Sequence, residues 1–285
     1  MLPASHGHHL HVQEWGQADG IPALVLHGGP GSGCSPLQRQ FFDPARYRII
    51  CPDQHSAGSS TPAGSIAHNT TADLLADLRT LQVHLKVKRW LVAGGSWGAT
   101  LALAHALDQP DAVSGLLLRS SFLARQQDID GFFMGAPAPL AQGWRSLPDL
   151  AGDALRNMTQ MWFDWELRAS NPNVTTVILN GDALTARIAR YRVQSHYLQH
   201  GCWLQSPPLL ARCTALPSVP TLLLHGTQDR VCPTEGARAL HACIAGSALA
   251  WAQDVGHDPA NPVMAGKMVQ ALNNFAASGS FADFE

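Results

Sequence analysis

Short, nearly unbroken apolar runs recur along the chain at Ala23 to Leu26, Tyr47 to Cys51, Trp90 to Ala93, Val113 to Leu118, Thr221 to His225 and Leu249 to Gln253. Runs of this length bounded by glycine and polar turn residues predict buried strands. Leu10 to Trp15 alternates instead, and predicts a strand with one wet face. Between the runs lie helical stretches. Asn69 to Leu85 has Asn69 or Thr70 as N-cap and Asp73 in its first turn, Ala99 to Leu107 is rich in Ala and Leu, and Glu235 to Cys243 is the third. Strands buried along their whole length and separated by helices indicate a parallel sheet covered on both faces. From Phe122 to Ala215 the strands disappear, and the text becomes helical and aromatic, with Trp144, Trp162, Trp165, Tyr191, Tyr197 and Trp203. The expected architecture is therefore an α/β core formed by 1–121 and 216–285, interrupted by a helical cap at 122–215.

Bulk properties narrow the functional classes without choosing among them. At 285 residues, 46% hydrophobic and 14% charged, the chain can bury a substantial core. A net charge of −2 gives no electrostatic footprint for nucleic acid or an anionic membrane, so neither is an expected partner. The opening MLPASHGHHLHVQEWG lacks the basic start and apolar stretch of a signal peptide, and no run is long enough to span a bilayer. Cys34, Cys51, Cys202, Cys213, Cys232 and Cys243 have no metal-ligand spacing, and a chain this large needs no disulfide framework. The cytoplasm is the expected location. His6, His8, His9 and His11 cluster near the start, but no carboxylate or cysteine stands at a useful spacing; an exposed edge or frayed terminus is expected there, not a metal site. No cofactor is expected, and oligomeric state is not legible.

The chemistry concentrates around Gly94-Gly95-Ser96-Trp97-Gly98, a G-x-S-x-G pattern set between a strand and a helix. In that context the serine is raised on a sharp turn, and the helix N-terminus beneath it favours developing negative charge. The strand at Ala23 to Leu26 runs into His27-Gly28-Gly29-Pro30-Gly31, a glycine-rich loop without the Lys-Ser/Thr of a phosphate loop. Such a loop supplies one oxyanion donor. Pro30 has no N–H, which leaves Gly29, with Gly28 as the alternative; the other donor is the N–H of Trp97. A serine needs a base and an orienting acid. Asp229 follows the strand LLLHG and His257 follows WAQDVG, both at strand ends and in the order Ser, Asp, His. Asp254, read as lying on a strand, and Asp258, after the histidine, are less well placed.

HGGPG (His27 to Gly31), PDQ…G.S (Pro52 to Ser60), NTTADLLADL (Asn69 to Leu78) and GGSWGATLAL (Gly94 to Leu103) resemble the proline iminopeptidases, also called prolyl aminopeptidases. These are α/β-hydrolases that remove an N-terminal proline from peptides. The resemblance covers nearly the whole chain and includes LRSSF, Trp165-Glu166, the stretch Ala186 to Gly201, HGTQDRVCP and Gly256-His257. It implies that Arg119, Phe122 and Trp165 belong to the substrate pocket and that Glu166 is one of two glutamates recognising the substrate amine. The second falls at Gln194, a neutral amide; Phe132 stands where related enzymes can have tyrosine; and DQHSAG replaces the usual DQRG.

Three readings follow. The first is a serine aminopeptidase acting on N-terminal proline or another small residue of a small peptide. The second is an esterase, lactonase or amidase taking an uncharged small molecule, which the missing glutamate favours. The third is a non-catalytic relative that only binds a ligand, against which the intact Ser96, Asp229 and His257 argue. An apolar pocket of Phe122, Phe132 and Trp165 above Ser96 is expected.

Overall fold

The computed structural model describes residues 1–170, 174–281 and 284. Nine strands form in chain order: β1 (Leu2–Pro3), β2 (His9–Leu10), β3 (Val12–Gly16), β4 (Ile21–Leu26), β5 (Tyr47–Pro52), β6 (Trp90–Gly95), β7 (Val113–Arg119), β8 (Thr221–Gly226) and β9 (Ala248–Ala252). The helices are α1 (Pro36–Gln40), α2 (Thr71–Leu85), α3 (Trp97–Asp108), α4 (Gln126–Phe132), α5 (Ala138–Gly143), α6 (Gly152–Ser170), α7 (Gly181–Gln199), α8 (Leu209–Arg212), α9 (Thr234–Cys243) and α10 (Pro262–Ser278). β1 and β2 pair with each other, and the other seven strands make one sheet in the order β3-β5-β4-β6-β7-β8-β9. β3 is antiparallel to β5; every other pair is parallel.

Alternate residues of each strand enter different cores, as the two-residue side-chain period requires. Leu24, Leu26, Val92, Leu116 and Leu118 pack on one side with α2, α3 and the helices between β7 and β8. Ala23, Val25, Leu91, Ala93, Leu117 and Leu222 pack on the other with α10. Both faces are dry, which is why these strands read as unbroken apolar runs. Among the described residues no helix is long and apolar enough to cross a membrane.

Several boundaries differ from the expectation, each for a local reason. The alternating stretch breaks at His11, whose N–H donates to Ser60 Oγ and whose carbonyl accepts from Asp53 N, dividing β2 from β3. α2 does start as expected, at Thr71 with Thr70 as N-cap, under a capping box in which Thr70 and Asp73 satisfy each other's backbone N–H groups. Asn69 instead donates to the carbonyls of His55 and Ser65. α3 begins at Trp97 rather than Ala99, directly on the turn. β9 ends at Ala252, so Asp254 is not on a strand: it occupies a turn with φ 56°, and its carboxylate accepts from Gln228 Nε2. Nor is the histidine-rich start a frayed end. His8 is buried with its ring 3.6 Å from that of His55, His6 stacks on His68, and His11 faces Asp53.

Between β7 and β8 the helices α4 to α8 build their own aromatic core. Trp162 stacks on Tyr191 at 4.8 Å, Phe133 stacks on Trp144 at 4.7 Å, and Phe132 meets Phe133 edge-on. Such ring pairs add about 0.5–1.5 kcal/mol each beyond area burial. They hold α6 and α7 together above the sheet's carboxyl edge.

Candidate active site

The strand order fixes where a site can form. β5 lies on one side of β4 and β6 on the other, so the chain reverses direction across the sheet at β4. Loops leaving the carboxyl ends of β4 and β6 therefore diverge and open a crevice between them. The first of these loops is His27-Gly28-Gly29, and the second carries Ser96.

Ser96 adopts φ 57° and ψ −122°, a backbone conformation that costs a non-glycine residue on the order of 1–3 kcal/mol. The surrounding structure enforces it. Ser96 N–H donates to Arg119 O on β7, and Ser96 O accepts from Ala99 and Thr100 in the first turn of α3. The flanking glycines serve close packing: a Cβ on Gly94 would overlap the Gly98 carbonyl, and one on Gly98 would overlap Leu26 O. The Trp97 N–H lies in the helix's first turn, where it has no intrahelical acceptor.

The β4 loop is pinned against this turn from below. His27 Nδ1 bonds to Gly28 O at 2.8 Å, and its Nε2 accepts from Gln54 N at 2.9 Å. Gln54 Nε2 donates to His27 O, and Trp97 Nε1 donates to Gln54 Oε1, both at 2.8 Å. Burial lowers the His27 pKa, consistent with a neutral ring that can accept. A Cβ on Gly28 would stand 3.3 Å from Gly95 O and 3.7 Å from Ser96 Cβ, so the bare glycine keeps the space beside the serine open.

Asp229 and His257 come together beyond β8 and β9, with His257 Nδ1 2.8 Å from Asp229 Oδ2. The other carboxylate oxygen accepts from Val231 N at 2.9 Å and Cys232 N at 2.8 Å. Burial alone would raise the Asp229 pKa; the charges and hydrogen bonds of His257, His225 and the Cys232 N–H outweigh it and hold the carboxyl well below its usual range. Asp229 is thus held as an oriented anion, and among the described residues Nε2 of His257 has no hydrogen-bond partner. Asp258 stands at the cavity wall beside His257, with no bond to its ring.

Ser96 and His257 line a single cavity of about 550 Å³, a size that suits a small ligand. Gly28, Gly29, Arg119, Phe122, Phe132, Glu166 and Gln194 line it too. Trp165 does not: its indole donates to Phe132 O at 2.9 Å, which holds that ring from behind. Arg119 reaches the cavity, but its guanidinium is buried and donates to His257 O at 2.9 Å. It braces the histidine loop.

Opposite the serine, α6 and α7 contribute the expected Glu166 and Gln194 together with Phe163, Arg187 and Arg190, which sequence reasoning passed over. Glu166 is not open. Its Oε1 takes Arg190 Nη2 at 2.5 Å, and its Oε2 takes the Tyr191 hydroxyl at 2.9 Å. Gln194 is buried, and among the described residues its Oε1 has no hydrogen-bond partner. Arg187 and Phe163 line the same wall. Arg187, Arg190 and Gln194 stand at i, i+3 and i+7 in ARIARYRVQ, a helical stripe visible in the sequence. Cys232 was also missed; its Sγ lies 3.9 Å from Ser96 Oγ, and burial raises its thiol pKa well above the ordinary value. No sequence signal marked it beyond its place three residues after Asp229.

Comparisons with known proteins bear on the family and the fold. A family model described as alpha/beta hydrolase fold matches residues 22–259. A proline iminopeptidase of Arabidopsis thaliana is 35% identical over 97% of this chain and 79% of its own length. One from Xanthomonas citri is also 35% identical, over 96% of this chain and 95% of its own. Among solved structures, proline iminopeptidase from Mycobacterium smegmatis superposes with a TM-score of 0.67 at 17% identity, covering 98% of both chains, which supports the fold. With the family model spanning most of the chain and relatives above 30% identity along at least 96% of it, the chain belongs to the proline iminopeptidase family of α/β hydrolases.

Proposed function

We propose that the protein is a serine aminopeptidase that releases N-terminal proline from small peptides through an acyl-enzyme. The observation that carries this reading is one 550 Å³ cavity with Ser96 and His257 on one wall and Glu166 and Gln194 on the other. Ser96 Oγ attacks the scissile carbonyl carbon while His257 Nε2 takes its proton. The N–H groups of Gly29 and Trp97 receive the oxyanion. Collapse of the tetrahedral adduct breaks the C–N bond, and His257 returns the proton to the leaving amine. Water, deprotonated by the same imidazole, then cleaves the prolyl ester and restores Ser96. Asp229 keeps the ring oriented and stabilises its charged form.

The helical segment between β7 and β8 serves as the cap. Phe122 and Phe132 supply apolar surface for a pyrrolidine ring, and the substrate ammonium lies between Glu166 and Gln194. Arg190 offsets much of the Glu166 charge, while the partnerless Gln194 Oε1 offers a neutral acceptor. That same pairing favours a second reading, an esterase or amidase for uncharged substrates.

A matched set of prolyl, alanyl and N-acetylprolyl arylamides with a simple aryl ester separates the two. The aminopeptidase reading expects the prolyl amide to exceed its N-acetyl form by at least about tenfold in kcat/KM, the size of one charge-assisted hydrogen bond. Equal turnover of the acetylated amide, with the ester far ahead, transfers the conclusion to the second reading.

A further inference from the structure

α7 turns a stripe of three polar side chains to the cavity, and they are not equivalent. Arg190, in the middle, is bound by Glu166. Gln194 lies deeper and is neutral. Arg187, one turn nearer the start of the helix, holds its guanidinium carbon 4.8 Å over the Phe163 ring. Among the described residues it has neither a carboxylate nor a hydrogen-bond acceptor.

The charges of the wall do not cancel. Its cations are Arg119, Arg187 and Arg190; its anions are Glu166 and Asp258. Arg190 answers Glu166. Arg119 is held by His257 O and by the field of Asp229 and Asp258. Arg187 is left over. Burial, and after it the neighbouring Arg190, lower its pKa, and Tyr191 and Glu166 oppose that shift without reversing it. A planar guanidinium on an aromatic face, with its N–H edge unused, is arranged for bidentate capture of a carboxylate.

We propose that Arg187 forms a carboxylate subsite and that the preferred substrates are very short prolyl peptides bearing a carboxylate just past the scissile bond. This deepens the aminopeptidase reading and rests on it. The carboxylate can be the C-terminus of a dipeptide or the side chain of an acidic second residue. The spacing fits a dipeptide. Successive α-carbons lie about 3.8 Å apart, while Arg187 stands about 4.5 Å of helix rise from Arg190, the partner of Glu166, and about 10.5 Å from Gln194. An ammonium at the level of Glu166 and Gln194 thus leaves a dipeptide's carboxylate within reach of the long Arg187 side chain. The cavity presents an acid at one level and an unpaired cation above it, matching a zwitterion.

The test compares prolyl-alanine with prolyl-alanine amide, and prolyl-aspartate amide with prolyl-asparagine amide, in the wild type, Arg187→Gln and Arg187→Lys. The wild type should favour prolyl-alanine over its amide by about 10- to 100-fold in kcat/KM, the range of a charge-assisted contact. Arg187→Gln should bring that ratio within about threefold of unity, chiefly by slowing the free acid, and Arg187→Lys should keep part of it. Preference for aspartate over asparagine identifies the side-chain source; preference confined to the free dipeptide identifies the terminus. Equal rates in both pairs, or a loss in Arg187→Gln shared equally by acid and amide, overturns the proposal. If the wild type releases proline from none of them, the aminopeptidase reading has failed. The subsite is then decided by calorimetric titration of Ser96→Ala with the same pairs. Tighter binding of the acid, abolished by adding Arg187→Gln, upholds it, and equal binding overturns it.

Discussion

The two walls of the cavity are built by different means. The lower wall hangs on strand ends: Ser96 after β6, the glycine loop after β4, and His257 after β9, backed by Asp229 after β8. Backbone hydrogen bonds and the sheet register hold these groups, so their placement depends on the fold more than on any one neighbour. The upper wall is made of long side chains on α6 and α7 that pair across a helix interface, and the charge it shows depends on who pairs with whom. A catalytic edge can thus be kept while the opposite wall is rewritten. Setting Arg190 on Glu166 beside a neutral Gln194 fixes the polarity of the wall without involving a strand.

The comparison predicts its largest effect on the lower wall. Ser96→Ala should lower turnover of every substrate by about 10⁴-fold or more and leave the fold intact. His257→Ala should match it, the double variant should add little, and Asp229→Asn should keep somewhat more activity. Steady-state kinetics with thermal melts of the same samples check this. Wild-type rates in Ser96→Ala would show that the lower wall is not the catalytic one.

On the upper wall, effects should be smaller and depend on substrate charge. Glu166→Gln should cut prolyl-arylamide kcat/KM by about 10- to 100-fold and aryl-ester turnover by less than threefold. It also leaves Arg190 without its carboxylate, so Arg190→Gln in the same chain should recover part of any lost stability. Equal losses on amide and ester would make Glu166 a structural partner of Arg190 and nothing more.

Gln194→Glu is the converse experiment. A charge pair at about 4 Å in an effective dielectric near 20 is worth about 4 kcal/mol before desolvation. A net of about 1–3 kcal/mol is expected after it, and it should raise prolyl-arylamide kcat/KM about five- to a hundredfold. The neutral ester should not respond. An unchanged amide-to-ester ratio would mean that Gln194 does not face the ammonium.

The last prediction concerns the frame alone. His105 on α3 is buried, accepts the Trp90 indole N–H at 3.0 Å, and has its pKa lowered by burial to about 4. The folded value lies below the unfolded one of about 6.5, so the unfolded chain takes up the proton first. Its stabilising contribution is complete above that unfolded value and is lost as pH falls from about 6.5 to about 4. Between pH 7 and pH 5 the loss is about 2 kcal/mol. Urea unfolding at the two pH values measures it, and His105→Gln, which keeps an acceptor for Trp90, should remove that share. An unaltered pH dependence would show that His105 is not the group responsible.

The sequence by itself determined the sheet, its parallel sense and the serine turn. These follow from apolar runs, glycine spacing and helix signals that act between residues close along the chain. The order of Ser96, Asp229 and His257 was legible because each sits where a strand gives way to a loop. Only the tertiary structure decided which side chains share the upper wall. Trp165 turned behind Phe132, Arg119 went to the His257 carbonyl, and Glu166 acquired Arg190 and Tyr191. The Arg187, Arg190 and Gln194 stripe could be read from helical periodicity, but its meaning could not. Partners 24 and 25 residues apart on two helices meet only when the aromatic core between those helices has packed, and no local signal records the outcome.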